Sequence, residues 1–176
     1  MAIVVSDGSE ITHELWDSII PGVGVVVATL FTVPKGQAGK TSYHTNMVQA
    51  GQLPLGQSFE VLALGWNFLA DTTPAAAIAM CKCYYKLIVS DKMWNEGHLF
   101  DLGGGAGLHY TGAASSASTD DLMTPGMPMS HNLKQLDRAI PIQAGEAFHV
   151  DFEWPTAPGE YKFWFKLHGR LKRSLN

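Results

Sequence analysis

His149, Asp151 and Glu153 are the residues of this chain whose types and spacing come nearest to a metal site. On an extended strand, side chains at i, i+2 and i+4 project from one face, so an imidazole and two carboxylates there can converge on a divalent ion. Alternating with them are Phe148, Val150, Phe152 and Trp154. The same alternation describes a strand with one core face and one solvated face, with no metal at all.

The remaining histidines are His13, His44, His98, His109, His131 and His168, and none forms a His-x-His pair. A metalloenzyme of the cupin type would use such a pair to hold its ion in a barrel of strands. A cupin-like enzyme with His149, Asp151 and Glu153 as ligands therefore stands behind two other readings. Cys81-x-Cys83 has no second cysteine pair to complete a tetrahedral zinc site. Two cysteines two apart on a strand lie side by side, where a mutual disulfide is sterically poor, so both read as reduced core residues.

Gly36-Gln37-Ala38-Gly39-Lys40-Thr41 has the ending of a phosphate-binding P-loop, but the first glycine of that motif would fall at Pro34. No helix is expected after it to point backbone amides at a phosphate. The run Gly103-Gly104-Gly105-Ala106-Gly107 likewise lacks the following helix of a dinucleotide fold and reads as a loop. No Gly-x-Ser-x-Gly elbow is present, and Ser115, Ser116 and Ser118 have nothing in sequence to hold a base beside them. Trp66, Trp94 and Trp164 can stack on sugar rings if they share an exposed face, which makes a carbohydrate-binding module the second reading. Their apolar neighbours favour core or interface packing instead.

Composition narrows the classes further. A chain of 176 residues buries enough surface to need no disulfide or metal for stability, so no cofactor is expected. Charged residues make up only 16% of it, which leaves a neutral surface prone to association. The net charge of −4 argues against nucleic-acid binding. Arg170, Lys172 and Arg173 form the one basic cluster; it reads as a solvated end, or as a contact for an acidic neighbour or an anionic lipid surface. No segment has the length and hydropathy of a signal peptide or a membrane-spanning helix, which points to synthesis in the cytoplasm.

The elements that must position these residues are mostly strands. Asp7 and Glu10 have capping-box spacing, and Ile11, Leu15 and Ile19 follow at intervals of four, so residues 1–21 read as an arm or short helix that closes one end of a barrel or contacts a neighbour. Residues 23–33 and 58–69 read as strands, the second apolar on both faces, with Phe59, Val61 and Ala63 on one and Leu62, Leu64, Trp66 and Phe68 on the other. A short helix over 75–80 follows the helix-start residues 71–74, and strands follow at 82–89 and 93–102. Residues 112–132 are small, polar and rich in Met and Pro, which describes a long loop. Strands at 133–142, 148–154 and 160–167 close the chain, the last with Tyr161, Phe163 and Phe165 inward. About eight strands with one or two short helices, in a single domain over 1–176, predict an all-β jelly-roll sandwich or barrel.

Three stretches carry a resemblance. They are residues 85–97 (Tyr-Lys-Leu-Ile-Val-Ser-Asp-Lys-Met-Trp-Asn-Glu-Gly), residues 140–154, which open Ile-Pro-Ile-Gln-Ala-Gly-Glu-Ala-Phe, and the closing Phe165-Lys-Leu-His-Gly-Arg-Leu-Lys-Arg. Together they resemble the small major capsid proteins, single jelly rolls, of tailless, membrane-containing icosahedral phages that infect Thermus. The resemblance covers roughly the second half of the chain, with a compatible strand pattern in the first. It implies a viral structural protein in the virion with no catalytic residues and no small-molecule substrate. It also implies self-association and a shell shared with a second, larger capsid protein over an internal viral membrane. On that reading the 112–132 loop orders against a neighbour, with Met123, Met127 and Met129 adapting to its surface.

Overall fold

The computed structural model describes residues 9–68, 74–102, 109–111, 122–124, 133–160 and 162–173. Its strands are β1 (Ser9–Ile19), β2 (Val27–Leu30), β3 (Gln57–Phe68), β4 (Tyr84–Val89), β5 (Lys92–His98), β6 (His109–Thr111), β7 (Leu122–Thr124), β8 (Lys134–Ile142), β9 (Phe148–Glu153) and β10 (Phe163–Arg173). The helix α1 (Pro74–Cys81) sits between β3 and β4, and a 3-10 turn, Leu99–Asp101, follows β5. Eight of the strands form two antiparallel four-stranded sheets, ordered β1-β10-β3-β8 and β2-β9-β4-β5, while β6 and β7 pair separately. The chain is all-β in class, as its alternating pattern predicts.

Between the sheets lies a core of aliphatic and aromatic side chains. Tyr85 and Leu87 from β4, Val150 and Phe152 from β9, and Phe163, Phe165 and Leu167 from β10 are fully or almost fully buried in it. Phe152 meets Phe163 and Phe165 edge to face, each at 5.3 Å between ring centroids, the geometry that aligns one ring's positive edge with its neighbour's negative face. The strand predicted at 148–154 ends at Glu153; Trp154 continues inward and donates its backbone N–H to the Val26 carbonyl.

The N-terminal segment is a strand and not a helix. Ile11, Leu15 and Ile19 are four apart, and four residues is two full periods of a strand as well as about one turn of a helix, so the spacing fits both. Pairing decides: β1 lies antiparallel along all of β10, from Ser9 opposite Arg173 to Ile19 opposite Phe163. Residues 1–8, with the capping Asp7, lie outside the described residues.

β3 departs from the predicted two-faced apolar strand for a definable reason. Leu62 is an extra residue in its pairing with β10, where Val61 faces Gly169 and Ala63 faces His168. A bulge of this kind reverses the alternation beyond it. Phe59 and Val61 before the bulge, and Leu64 and Phe68 after it, therefore share the core, with Trp66 packed against it. The outer face is left to Ser58, Glu60, Ala63, Gly65 and Asn67. β10 must approach closely at the same place: a Cβ on Gly169 would stand 1.8 Å from the Glu60 carbonyl oxygen.

The strand predicted over 23–33 shrinks to β2. A turn closed by Val25 N–H to Gly22 O precedes it. After it, Phe31 takes a positive φ of 70° and gives its N–H to Asp17. The last strand runs on to Arg173, beyond the predicted 167, because β1 and β3 flank it on both sides. Part of the predicted 112–132 loop is a short strand, β7, paired with β6, and the rest of that loop lies outside the described residues. The predicted helix over 75–80 is α1, while residues 71–73 before it lie outside the described ones. No helix among the described residues is long and apolar enough to cross a membrane.

Candidate functional site

His149, Asp151 and Glu153 do lie on one face of β9, on the solvent side of the second sheet. His149 Nε2 is 3.7 Å from Asp151 Oδ2, and Asp151 Oδ1 accepts a hydrogen bond from the Thr29 hydroxyl across β2 at 2.7 Å. Across β4 their neighbours are Ile88 beside His149, Lys86 beside Asp151 and Tyr84 beside Glu153. The face is thus a mixed, hydrogen-bonded sheet surface, and among the described residues no group of three His, Cys, Asp or Glu side chains is arranged to hold a metal ion.

Cys81 and Cys83 are not neighbours on one strand. Cys81 ends α1, and Cys83 sits in the turn to β4, where its N–H donates to the Met80 carbonyl. Both are buried and free. Burial pushes the Cys81 thiol up to about 11 and raises Cys83 further still, so neither is a thiolate at neutral pH.

Lys40, the lysine of the P-loop-like stretch, is committed elsewhere. Its Nζ lies 2.6 Å from Asp17 Oδ1. Asp17 is fully buried, and its carboxylate also accepts the N–H groups of Ser18 and of Phe31, at 2.9 and 2.6 Å. One carboxylate thereby ties β1 of the first sheet to the end of β2 in the second and to the 34–47 loop. The same loop binds the open edge of β1: Asn46 accepts the Trp16 N–H and donates to the Glu14 carbonyl, and Thr45 donates its hydroxyl to the Trp16 carbonyl.

The basic cluster at the end of the chain is largely neutralised on the outer face of the first sheet. Arg170 pairs with Glu10, Lys172 with Glu60 and Glu10, and Lys166 and His168 with Glu14. Burial holds His168 below its ordinary 6.5, against the pull of Glu14, and its Nε2 is buried without a hydrogen-bond partner among the described residues.

The three tryptophans do not form one platform. Trp66 faces inward, Trp94 on β5 packs against the core under the Lys92 ammonium, and Trp164 on β10 lies on the outer face of the first sheet, almost fully covered. Trp164 instead meets Tyr43, which no spacing in the sequence connects with it. The 34–47 loop packing back over the first sheet makes that meeting. The glycine run 103–107 and the serines Ser115, Ser116 and Ser118 lie outside the described residues.

Among the described residues, two of the apolar areas open to solvent lie near β2 and beside α1. At the start of β2, Val23 is 83% and Val27 63% exposed, beside Val25 and Val26. Between α1 and the 3-10 turn, Ile78, Cys81, Phe100 and Pro155 line a recess of about 530 Å³ rimmed by Lys82, His98 and Asp101. Comparison with known proteins finds no matching family model, no matching curated sequence and no matching solved structure.

Proposed function

We propose that the chain is a single jelly-roll subunit of a viral shell, which works through contacts with other subunits and without catalysis. The observation that carries the reading is the strand order. With β6 and β7 set aside, the path runs β1, β2, β3, β4, β5, β8, β9, β10 and changes sheet at every step except the β4–β5 hairpin, yielding β1-β10-β3-β8 facing β2-β9-β4-β5. That winding is what an eight-stranded jelly roll requires, and it is a frequent architecture of capsid domains. The sequence resemblance to small phage capsid proteins points the same way.

Its edges suit assembly. β2 ends one sheet, and the valines leading into it are exposed where a neighbouring chain can cover them. Charges on the outer face of the first sheet are already paired within the chain, so contacts between subunits rest on apolar burial. A second, larger capsid protein and the internal viral membrane are the partners this reading implies.

The test is the solution mass of the purified chain by light scattering across a concentration and salt series. A mass that rises to a dimer or larger assembly, and that salt does not dissolve, is the expected result. A strict monomer at high concentration overturns the proposal.

A further inference from the structure

The outer face of the first sheet carries two cross-strand rows, Trp16 with Lys166 and Gly65, and Ser18 with Trp164 and Asn67. The 34–47 loop brings Tyr43 over the second row, and Leu133 lies over Gly65, where an added Cβ would come within 2.7 Å of it. Beside Tyr43 is a groove of about 540 Å³ whose lining includes Glu14, Trp16, Asn67, Trp164 and Lys166. That volume falls within the roughly 300–1,000 Å³ of small-ligand sites.

Three properties of the groove select a ligand. Its rings are held in place: Trp164 donates its indole N–H to the Tyr43 carbonyl at 3.2 Å, and the two rings meet edge to face at 5.4 Å. It carries polar groups: the Asn67 side chain is among its lining residues, and the Lys166 ammonium stands a loose 3.5 Å from Glu14. Its charge is balanced: Lys162 already lies over the Tyr43 ring at 5.2 Å, which disfavours a second cation there, and the Glu14–Lys166 pair leaves little attraction for an anion. A neutral molecule with an apolar face and adjacent hydroxyls meets all three conditions.

We propose that this groove binds a sugar ring. The C–H face of the ring rests against Trp16 and Tyr43, and its hydroxyls bond the Glu14 carboxylate and the Lys166 ammonium. Of Trp66, Trp94 and Trp164, which could make a sugar platform only by sharing an exposed face, the site uses Trp164 alone, to hold Tyr43. It is independent of the shell-subunit reading, since the groove lies on a sheet face and the assembly argument rests on strand order and the β2 edge.

The test is ligand-observed saturation-transfer NMR on the full chain, with glucose, galactose, mannose, N-acetylglucosamine and a β-linked disaccharide of each as probes. Saturable binding of at least one sugar in the millimolar range is expected. It should weaken at least tenfold in Trp16→Ala and in Tyr43→Ala, with unchanged thermal unfolding midpoints showing that both variants fold. Absence of saturable transfer from every probe overturns the proposal, as does binding that both variants retain. A fall in solution mass in Tyr43→Ala, with sugar binding intact, also overturns it by assigning the groove to a contact between copies.

Discussion

Asp17 concentrates much of what single residues contribute to this fold. It is a fully buried carboxylate whose two oxygens serve three partners, an ammonium and two backbone N–H groups. Replacing it with Ala leaves Lys40 and the Phe31 N–H unpaired in a mostly dry environment, and we expect a loss of about 3–5 kcal/mol in urea unfolding. A loss below about 1 kcal/mol would show that the clamp between the sheets is not an energetic one. Gly169 is the steric counterpart. A methyl group there collides with the Glu60 carbonyl, so Gly169→Ala should cost about 1–3 kcal/mol as β10 is forced away from β3, read as a lower thermal midpoint. His168 sets a pH dependence. Burial keeps its folded pKa below the 6.5 of the unfolded chain, so the unfolded state binds more protons and stability falls as pH drops below 6.5. Urea midpoints measured downward through that region should fall less steeply in His168→Gln than in the parent chain. Little of this was legible in the sequence. Asp17 and Gly169 are unremarkable in composition and spacing, and acquire their roles only from strands that lie far away along the chain.

At the scale of elements, legibility followed the size of the hydrophobic signal. β9, with alternating Phe148, Val150 and Phe152, was plain because every second residue is large and apolar. The β4–β5 hairpin is legible from the turn residues after Val89, although Lys92, read as part of the turn, opens β5 and the turn is Ser90 and Asp91, both at positive φ. β1 reads in the sequence as an arm or a short helix because its apolar residues repeat every four, a spacing that fits both a helix and a strand. β3 was misassigned to two faces because a bulge at Leu62 cannot be seen in a one-dimensional pattern. The candidate site suffered most. His149, Asp151 and Glu153 were correctly placed on one face, but the pairing of Trp164 with Tyr43 depends on a loop packing back over the sheet, and no local pattern encodes that. The α1–β4 turn makes a further prediction. With both thiols buried and raised in pKa, Cys81 and Cys83 should resist iodoacetamide in the native state at neutral pH, and both should alkylate once the chain is unfolded in denaturant. Modification by intact-protein mass spectrometry at the native rate of a free thiol would contradict their placement.

At the scale of the whole molecule, the two sheets differ in how they meet their surroundings. The first carries its charges as internal pairs on its outer face and has part of its β1 edge bonded by the 34–47 loop. The second ends at β2 with exposed valines. Association should therefore be governed by the second sheet's edge, and Val27→Lys is expected to lower the solution mass without shifting the thermal midpoint by more than about 0.5 kcal/mol equivalent, because Val27 is already exposed in the isolated chain. An unchanged mass would move the contact to another surface. The pairing of β1 with β10 has a different kind of consequence. The strand synthesised first among those described finds its only sheet partner in the strand synthesised last, and that late strand also sits between β1 and β3. Until β10 has been made, the first sheet has no centre around which to close. Its acquisition of native order waits on that strand, in one slow, long-range step, with hydrophobic strand edges exposed in the meantime. The chain's soluble yield on expression should therefore rise when chaperones that shield exposed strands are co-expressed, and an unchanged yield would count against so late a closure.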